Sequence, residues 1–476
     1  MATPPQPSGP QPGRRTTDTI AAVCTATGES GVAIVRLSGP RALEAARRLF
    51  SPANPRFTDF KPHTLHFGTF RGADGEALDE GLCAFMPGPR SYTGEDTVEL
   101  HTHGGLAAPR AVLEAALDAG CRLAERGEFT LRAFLNGRLD LTQAEAVAEL
   151  IHAPTKGALH LAQVKLSGAL GRRIATLRAH LETLKRELCV AVDFPEDDVE
   201  YLPPEVLDAR LGEALDGLDA LLAGVERARA WREGAMAVLC GRVNAGKSSL
   251  LNGLLGRRRA IVTDQPGTTR DYIEETLHLD GLLLRLVDTA GLREDAEEVE
   301  RAGMELSREL AAQADLVVFV ADGSRPVSRD ELETAAACGP DRTLVVLNKA
   351  DLPPADPDPA AVYEEHWFTT VRASAATGQG LDDLARAMRR AVLAGSNAPG
   401  EGPDPDEVAP NERQARALKR ARKDLAAMRA DAAAGVPHDL LGVALDAACA
   451  ELAALTGEIT PQEVLDSIFD TFCIGK

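Results

Sequence analysis

A glycine-rich stretch between an apolar run and a helical segment carries the strongest chemical signal in the sequence. It reads GRVNAGKSS, begins at Gly241, and follows the apolar run AMAVLC. Glycines at such a turn let backbone N–H groups surround phosphate oxygens, Lys247 can neutralise the terminal phosphates, and the Ser248 hydroxyl can bind Mg²⁺. The pattern predicts a phosphate-binding loop rather than a simple tight turn. Its candidate contacts are Asn244, Ala245, Gly246, Lys247, Ser248 and Ser249.

A second motif, NKAD, has the chemistry to read a guanine base. It follows the apolar strand TLVVL, so that Asp351 is expected at a strand end. Its carboxylate can accept hydrogen bonds from the N1–H and 2-amino groups of guanine, whereas adenine would leave it unpaired at a cost of about 1–3 kcal/mol. The sequence therefore predicts a preference for GTP over ATP. The candidate base contacts are Asn348, Lys349, Ala350 and Asp351, with Ser374, Ala375 and Ala376 from the later SAATGQG.

Two further motifs offer ligands for Mg²⁺ and for the γ-phosphate. DTAG ends another strand, where Asp288 can reach the metal through water and the Gly291 N–H can bind the phosphate. TDQPGTTRD offers Thr269 as a second metal ligand beside Ser248. The predicted contacts are Thr263, Asp264, Gln265, Pro266, Gly267, Thr268, Thr269, Asp288, Thr289, Ala290 and Gly291. The five motifs stand in the order found in Ras-like GTPases.

The residue after DTAG departs from many such GTPases. A glutamine there orients the attacking water, but this chain has Leu292, which cannot hydrogen-bond. The acidic run downstream offers Glu297, Glu298 and Glu300. A solvated helix face is the alternative for most of these carboxylates, and the residues alone do not choose among them.

The elements that must position these motifs fall into distinct regions. Residues 1–17 are rich in Pro, Gly and Ser and are predicted to be a disordered leader. Short strands and helices predict an α+β domain over 18–130, and Ala/Leu/Arg/Glu-rich segments predict a helical domain over 131–233 that resumes over 396–476. Strands alternating with helices over 234–395 predict an inserted Ras-like α/β domain. The predicted fold class is thus multidomain α+β.

Composition limits the remaining choices. The 476 residues carry a net charge of −20, which argues against a wide nucleic-acid surface but not against a local basic patch. The eight cysteines occur singly, without the paired spacing of a zinc site. Neither a secretory signal nor a membrane span is visible, so a cytoplasmic location is expected. The chain ends in FCIGK, which fits a prenylation box badly, and a frayed tail is the plain alternative.

Longer stretches resemble the MnmE (TrmE) family of tRNA modification GTPases. They include NAGKSSLLN and DTAGLRE in the α/β domain, SYTGEDTVELHTHGG, RGEFTLRAFLNGRLDLTQAEAVAELI and VDFPEDDVEYL outside it, and the closing FCIGK. The resemblance implies a homodimer that acts with an FAD-containing partner, MnmG (GidA), in a heterotetramer. Together they add a carboxymethylaminomethyl group to C5 of the wobble uridine of certain tRNAs.

The resemblance also implies roles in GTP hydrolysis. A K⁺ ion would take the place of an arginine finger, bound by Asn244, Thr263, Gln265 and Thr268. Glu300 would position the attacking water, and Lys247 would act on the phosphates. The G domains would pair across the homodimer during hydrolysis.

For the N-terminal domain, the resemblance implies a tetrahydrofolate site that supplies the one-carbon unit. The ligand would be a 5-formyl- or methylene-tetrahydrofolate, and the implied contacts are Arg36, Glu99, Arg138 and Lys476. Arg138 stands where a lysine is frequent, which keeps the charge but changes its geometry. Cys473 would be held near the one-carbon unit, with its role as nucleophile, proton donor or packed side chain left open.

Two other functions fit parts of the sequence. A GTP-dependent binding switch, such as a ribosome-assembly factor, would use the same phosphate and guanine motifs. A folate-binding structural protein with a vestigial GTPase would not need Lys247, Ser248, Thr269 and Asp288 intact. The N-terminal stretches and FCIGK favour the modification enzyme, since a simple switch has no need of them.

Overall fold

The computed structural model describes residues 18–26, 28–193, 203–258, 273–288, 310–395 and 402–476. The chain forms two compact units, here called the terminal unit and the inserted unit. The terminal unit comprises Met1–Ile151, Lys165–Leu218 and Glu412–Lys476, and the inserted unit comprises His152–Val164 and Asp219–Asn411. Among the described helices, none combines the length and apolar character required to span a bilayer.

The terminal unit begins with a seven-stranded sheet in the order β3-β4-β5-β6-β2-β1-β7. Its strands are β1 Ile20–Val23, β2 Val32–Ser38, β3 Phe50–Pro52, β4 Leu65–Arg71, β5 Ala77–Met86, β6 Thr97–His103 and β7 Arg122–Leu123. All neighbours pair antiparallel except β1 and β7. Two helices, α1 Ala42–Leu49 and α2 Ala107–Asp118, contribute to the core of this sheet. Alternate residues of β2 are buried because one face of the strand meets this core.

The rest of the terminal unit is helical. Its helices are α3 Glu128–Leu135, α4 Leu141–His152, α6 Ala169–Asp193, α12 Glu412–Ala433, α13 His438–Thr456 and α14 Gln462–Phe469, together with the first half of α7 Pro204–Glu233. Helix α13 packs along both α6 and α12. The buried leucines Leu181, Leu184 and Leu188 recur at helical spacing along α6.

One buried arginine ties the first strand to α3. The Arg132 side chain is 1% exposed, and its guanidinium forms ion pairs with Asp18, Glu95 and Glu128 at 2.8, 3.2 and 3.0 Å. The same group donates to the Asp18 carbonyl at 3.0 Å. A buried cation with several carboxylate partners fixes the entry of the chain into β1 because each group would be costly to bury alone.

The inserted unit is built on a six-stranded sheet in the order β13-β12-β11-β8-β10-β9. Its strands are β8 Ala235–Cys240, β9 Ile273–Leu279, β10 Leu282–Asp288, β11 Leu316–Asp322, β12 Thr343–Asn348 and β13 Thr369–Arg372. Only the edge pair β9–β10 is antiparallel. The helices are α5 Lys156–Leu166 (to Val164 in this unit), the second half of α7, α8 Lys247–Arg258, α9 Arg329–Ala337, α10 Pro359–Glu364 and α11 Leu381–Gly395. This sheet order is that of a Ras-like G domain, so the predicted fold class is confirmed.

Replacing Arg132 by methionine should loosen β1 selectively. The change keeps most of the side-chain volume but leaves three carboxylates without their buried cation, a loss of about 3 kcal/mol or more. Hydrogen exchange of the β1 and β2 amides, followed by mass spectrometry, measures the local free energy of opening. The control Arg110→Met removes an exposed arginine paired with Glu114 on α2. Equal protection in the two variants would contradict the anchoring role of Arg132.

Candidate functional site

The loop between β8 and α8 curls around the side chain of Lys247. The Lys247 ammonium donates to the carbonyls of Gly241 and Arg242 at 2.8 and 2.9 Å, and the residue is 9% exposed. Asn244 and Gly246 have positive φ values of 62° and 93°. The loop therefore leads into the N-terminus of α8 with its lysine already drawn inward, an arrangement that suits a bound phosphate.

Two glycines are required by the space around this loop. A Cβ on Gly241 would lie 2.1 Å from the carbonyl oxygen of Val320, and a Cβ on Gly246 would lie 2.2 Å from Nδ2 of Asn348. Both also have positive φ, which glycine adopts without strain. The spacing of the motif thus reflects contacts with β11 and with the end of β12.

The buried amide of Asn348 joins the phosphate loop to the loop after β13. Its Nδ2 donates to the Ala245 carbonyl at 2.8 Å, and its Oδ1 accepts from the Ala375 N–H at 3.1 Å. The residue is 2% exposed. Asn348 therefore acts as a tie between loops, which holds the predicted base-contacting segment beside the phosphate segment.

The predicted base reader, Asp351, lies beside the loop that begins at Ser374. The Ser374 hydroxyl donates to Oδ1 of Asp351 at 2.5 Å, and the Ala350 N–H donates to the Ala373 carbonyl at 3.0 Å. Asp351 is exposed, whereas Ser374 is fully buried. The structure brings Asp351, Ser374 and Ala375 together at the carboxyl edge of the sheet, where ligands of such sheets bind. Ala376 follows on the same loop and is exposed.

Asp322, at the end of β11, is a partner that the motif analysis missed. Lys349 has a φ of 65° and its ammonium bonds the Asp322 carboxylate at 2.7 Å. Burial alone would raise the pKa of Asp322, but hydrogen bonds from Lys349 and Ser324 outweigh it and hold that pKa below its usual range. A strand ending in aspartate, as in DLVVFVAD, was the available signal. Asp322 fixes the direction of the lysine in NKAD.

Several predicted ligands of the γ-phosphate and the metals lie outside the described residues. Asp288 ends β10, and its backbone pairs with Leu239 of β8. Ser248 and Ser249 are exposed at the start of α8, where hydroxyl ligands for Mg²⁺ would be accessible. For the residues outside the described part of the chain, the proposed contacts remain predictions. These residues are Thr263, Asp264, Gln265, Pro266, Gly267, Thr268, Thr269, Thr289, Ala290, Gly291 and Glu300.

A second polar site lies on the sheet of the terminal unit. Arg36 of β2 and Glu99 of β6 stand directly opposite each other, and Nε and Nη2 of the arginine both donate to Oε1 of the glutamate, at 3.0 and 2.8 Å. The guanidinium carbon lies 5.3 Å from the ring centre of Tyr92 and 5.7 Å from that of Phe129. The ion pair therefore has aromatic rings beside its cation.

The carboxylate of Glu99 has a further neighbour in His101. Nε2 of the histidine lies 3.4 Å from Oε2 of the glutamate. The nearby His101 ring, followed by the charge and hydrogen bond of Arg36, lowers the pKa of Glu99 to about 2 against the opposing effect of burial. The two residues share a face of β6 because strand side chains alternate. The residue pattern E-x-H was the signal for His101, which the sequence analysis missed.

The C-terminal residues FCIGK pack against this same sheet. Ile474 forms a β-bridge with Arg126, and the Phe129 N–H donates to the carbonyl oxygen of Lys476 at 3.2 Å. Gly475 has a φ of 95° and is buried, while Phe472 is 2% exposed. The structure thus gives the tail a defined place next to Phe129, rather than a frayed end.

The remaining predicted residues of this site differ in placement. Arg138 is exposed and donates through Nε to the Ser91 carbonyl at 3.2 Å, one residue before Tyr92. Cys473 is exposed on the tail.

A second thiol, Cys24, was not predicted: burial raises its pKa, while the nearby charges of Arg36 and Lys476 act against that rise. Arg36, Glu99 and Lys476 are therefore gathered around Cys24, with Arg138 on the neighbouring loop.

The Ras-like sheet, the phosphate loop and the guanine-type loops at its carboxyl edge define a GTPase. Family models agree with this and with the rest of the chain: residues 19–138 match the N-terminus of the GTP-binding protein TrmE, and residues 141–473 match the MnmE helical domain. This chain belongs to the MnmE family of tRNA modification GTPases. The family and the class of enzyme predicted from the sequence are thereby confirmed.

Relatives named tRNA modification GTPase MnmE are similar over nearly their whole length. The protein of Nitratidesulfovibrio vulgaris strain DP4 is 54% identical over 96% of this chain and 99% of the relative. That of Geobacter sulfurreducens is 43% identical over the same shares. Among solved structures, the G domain of the T. maritima FeoB iron transporter is 24% identical to this chain. The match covers 34% of this chain and 98% of the FeoB chain, with a TM-score of 0.25. The fold assignment rests on the strand order and not on this last match.

Asp351→Asn should exchange guanine selectivity for xanthine selectivity. The amide presents an N–H group to the position where guanine carries its 2-amino group and xanthine carries an oxygen. We expect GTP affinity to fall by at least ~10²-fold and affinity for xanthosine triphosphate to rise. Fluorescence titration with labelled nucleotides measures both. Asp341 lies before the start of β12, and the control variant Asp341→Asn should bind GTP normally. Unchanged GTP affinity of the Asp351 variant would argue against base reading.

Proposed function

We propose that this chain is a K⁺-dependent GTPase, activated by dimerisation, that takes part in modifying the wobble uridine of tRNA. The modification adds a carboxymethylaminomethyl group at C5 with a one-carbon unit carried by tetrahydrofolate. The observation that carries the proposal is the tail: the Lys476 carbonyl accepts from Phe129, whose ring lies beside the Arg36 guanidinium. A GTP-driven switch without further chemistry would have no use for such a closure.

The site around Arg36 fits a reduced folate in its chemistry. The Glu99 carboxylate can accept from the 2-amino and ring N–H groups of a pterin, the same donor pair that Asp351 would read in guanine. Tyr92 and Phe129 offer ring faces, and Arg138 and Lys476 offer cations for the carboxylates of the glutamate tail. A tetrahydrofolate bound here would supply the one-carbon unit. Two thiols lie close to this region: Cys473 is exposed on the tail, and the backbone of Cys24 lies against Gly475.

The inserted unit fits GTP with Mg²⁺ and K⁺. Lys247 and the start of α8 would hold the phosphates, and Ser248, Thr269 and, through water, Asp288 would hold Mg²⁺. Asn244, which has positive φ and is exposed, would bind K⁺ together with Thr263, Gln265 and Thr268. When bound, K⁺ supplies positive charge near the transferring phosphoryl group. Glu300 would orient the attacking water in place of the missing glutamine at Leu292.

The proposal includes two protein partners and tRNA. A second copy of the chain would pair through the G domains during hydrolysis, and an FAD-containing partner of the MnmG type would complete a heterotetramer in the cytoplasm. Support comes from the family: its members bear the name of tRNA modification GTPases, and this chain covers 99% of such a relative.

GTP hydrolysis should be fast in K⁺ and slow in Na⁺, because no arginine finger is identifiable and Leu292 cannot orient water. Glu300→Ala should reduce turnover by ~10²-fold or more with GTP affinity unchanged, the usual scale for a lost positioning group. Phosphate release under saturating GTP measures the difference between K⁺ and Na⁺ and the turnover of the Glu300→Ala variant.

Matched controls come from the same acidic run. Glu297→Ala and Glu298→Ala should keep turnover near that of the unaltered chain. Equal rates in K⁺ and Na⁺ would rule out the K⁺ proposal, and a uniform effect of all three glutamate variants would remove the special role of Glu300.

The tail should serve modification and not hydrolysis. Deleting Cys473 to Lys476 should leave K⁺-stimulated GTP turnover nearly intact and abolish wobble-uridine modification. Cys473→Ser should abolish modification if the thiol is chemical and spare it if the thiol only packs. Turnover and modified-nucleoside content, the latter by mass spectrometry of tRNA, are measured on the same variant.

A subtler variant separates placement from chemistry. Gly475→Ala keeps every functional group of the tail, but its Cβ would lie 2.4 Å from the Val23 carbonyl oxygen. We expect it to displace the tail and impair modification, whereas Ile459→Ala, at an exposed position before α14, should not. Normal modification in the deletion variant would show that FCIGK, although packed, is not needed for the modification.

A further inference from the structure

The exposed face of α12 carries a run of like charges. From Glu412 to Lys423 the sequence ERQARALKRARK contains six basic residues and one acidic residue, although the whole chain has a net charge of −20. Arg416, Lys419, Arg420 and Lys423 are all exposed. At 3.6 residues per turn, these four side chains fall within an arc of roughly 100° on the helix.

The opposite face of α12 explains why the helix forms but not why its exposed face is basic. Leu418, Ala421 and Leu425 are each 0% exposed and belong to the buried stripe. A solvated face that only stabilised the helix would alternate charges at i,i+4. Arg416–Arg420 and Lys419–Lys423 are instead like-charge pairs, which are unfavourable. Each of these two pairs therefore opposes helix formation slightly.

Ion pairs within the protein neutralise only part of this face. Arg416 pairs with Glu412, and Arg420 pairs with Glu451 of α13 at 2.8 Å. Within the part of the chain that the structure describes, Lys419 and Lys423 make no ion pair or hydrogen bond. Two lysines, about 6 Å apart along the helix axis, therefore project uncompensated charge into solvent.

The residue types on this face favour a polyanion over a protein partner. The exposed residues of α12 are charged or alanine, and the helix has no aromatic residue. Protein interfaces draw most of their affinity from aromatic or arginine anchors set in apolar pockets, and base recognition in single strands uses aromatic stacking. Lysines on a regular helix instead suit phosphate oxygens, which they contact without reading sequence.

We propose that the α12 face formed by Arg416, Lys419, Arg420 and Lys423 binds the phosphate backbone of the substrate tRNA. The inference rests on the proposed function, because tRNA is the polyanion which that function supplies. The face positions tRNA on the terminal unit and contributes affinity rather than sequence selectivity.

The test compares Lys419→Glu/Lys423→Glu with a matched control in the full-length protein. The control, Arg386→Glu/Arg390→Glu, changes the same net charge at two exposed i,i+4 positions of α11. The probe is a fluorescent transcript of a tRNA with uridine at the wobble position, and anisotropy is followed from low to high KCl. We expect the α12 variant to bind at least about ten-fold more weakly, with a log–log salt dependence shallower by about 1 to 2 for two lost phosphate contacts.

A neutral variant and GTP turnover guard against a folding artefact. Lys419→Gln/Lys423→Gln should lose less affinity than the glutamate pair, because glutamine removes positive charge without adding negative charge. It should leave the helix formed, since glutamine suits a helix about as well as lysine. Both variants should keep normal K⁺-stimulated GTP turnover. The glutamine variant should also be at least as thermally stable as the unaltered chain, because a repulsive pair has been removed.

The other outcomes overturn the inference. Equal loss in the α11 control would show an effect of net charge alone, and unchanged tRNA binding in the α12 variant would exclude the face. Normal tRNA binding with loss of the FAD-containing partner would assign the face to a protein. If the unaltered chain bound no tRNA, the inference would fail, whereas the proposed function is tested separately by the modified-nucleoside content of tRNA.

Discussion

The last residues of the chain close on its first strand, and this contact constrains the rest of the terminal unit. Gly475 lies so near Val23 that a Cβ would approach the carbonyl oxygen to 2.4 Å. For the C-terminus to reach β1, helices that run away from the sheet must be followed by helices that run back towards it. Helix α13 packs along both α6 and α12, which provides that return. In chain order, the inserted unit lies between helical parts of the terminal unit.

A comparable tie operates within the inserted unit. The Asn348 amide is almost fully buried and hydrogen-bonds the main chain at Ala245 and Ala375. Phosphate-binding and base-contacting loops are far apart in sequence, yet a single side chain at the end of β12 sets their spacing. A buried amide left without one of these partners would cost about 1–3 kcal/mol. The tie thus accounts for Asn348 in NKAD before any contact with nucleotide is considered.

Local motifs made the inserted unit predictable from sequence. A glycine-rich turn, its lysine and its following helix occupy one short segment, so the phosphate-binding loop with Lys247 and the strand before it could be predicted together. The alternation of apolar strands with helices gave the Ras-like sheet. Asp322 was missed because its partner Lys349 is 27 residues away and no local pattern links them. Residues of TDQPGTTRD and the acidic run after DTAG lie outside the described residues, so their predicted roles remain predictions.

The terminal unit was harder to derive from the residues alone. Arg36 and Glu99 are 63 residues apart, and only the register of β2 with β6 makes them opposite neighbours. Arg132 and Asp18 are 114 residues apart, and the buried guanidinium of Arg132 meets the half-exposed carboxylate of Asp18. Without the family resemblance, Arg36 and Glu99 would have been interpreted as members of surface salt bridges. His101 and Cys24 show what the resemblance did not supply, since both become relevant only once Glu99 and the tail are placed in three dimensions.

The two carboxylates proposed to read similar ring edges have different electrostatic surroundings. Asp351 accepts from the neutral hydroxyl of Ser374, so its charge is kept for the base. Glu99 accepts from Arg36 and lies beside His101, so its charge is largely balanced before any ligand arrives. Selectivity at Asp351 can therefore rest on a full charge meeting two N–H donors. Affinity at Glu99 is instead expected to depend on hydrogen-bond geometry and on the rings of Tyr92 and Phe129. Lys476 can meet the ligand's own carboxylates only when the tail is in place.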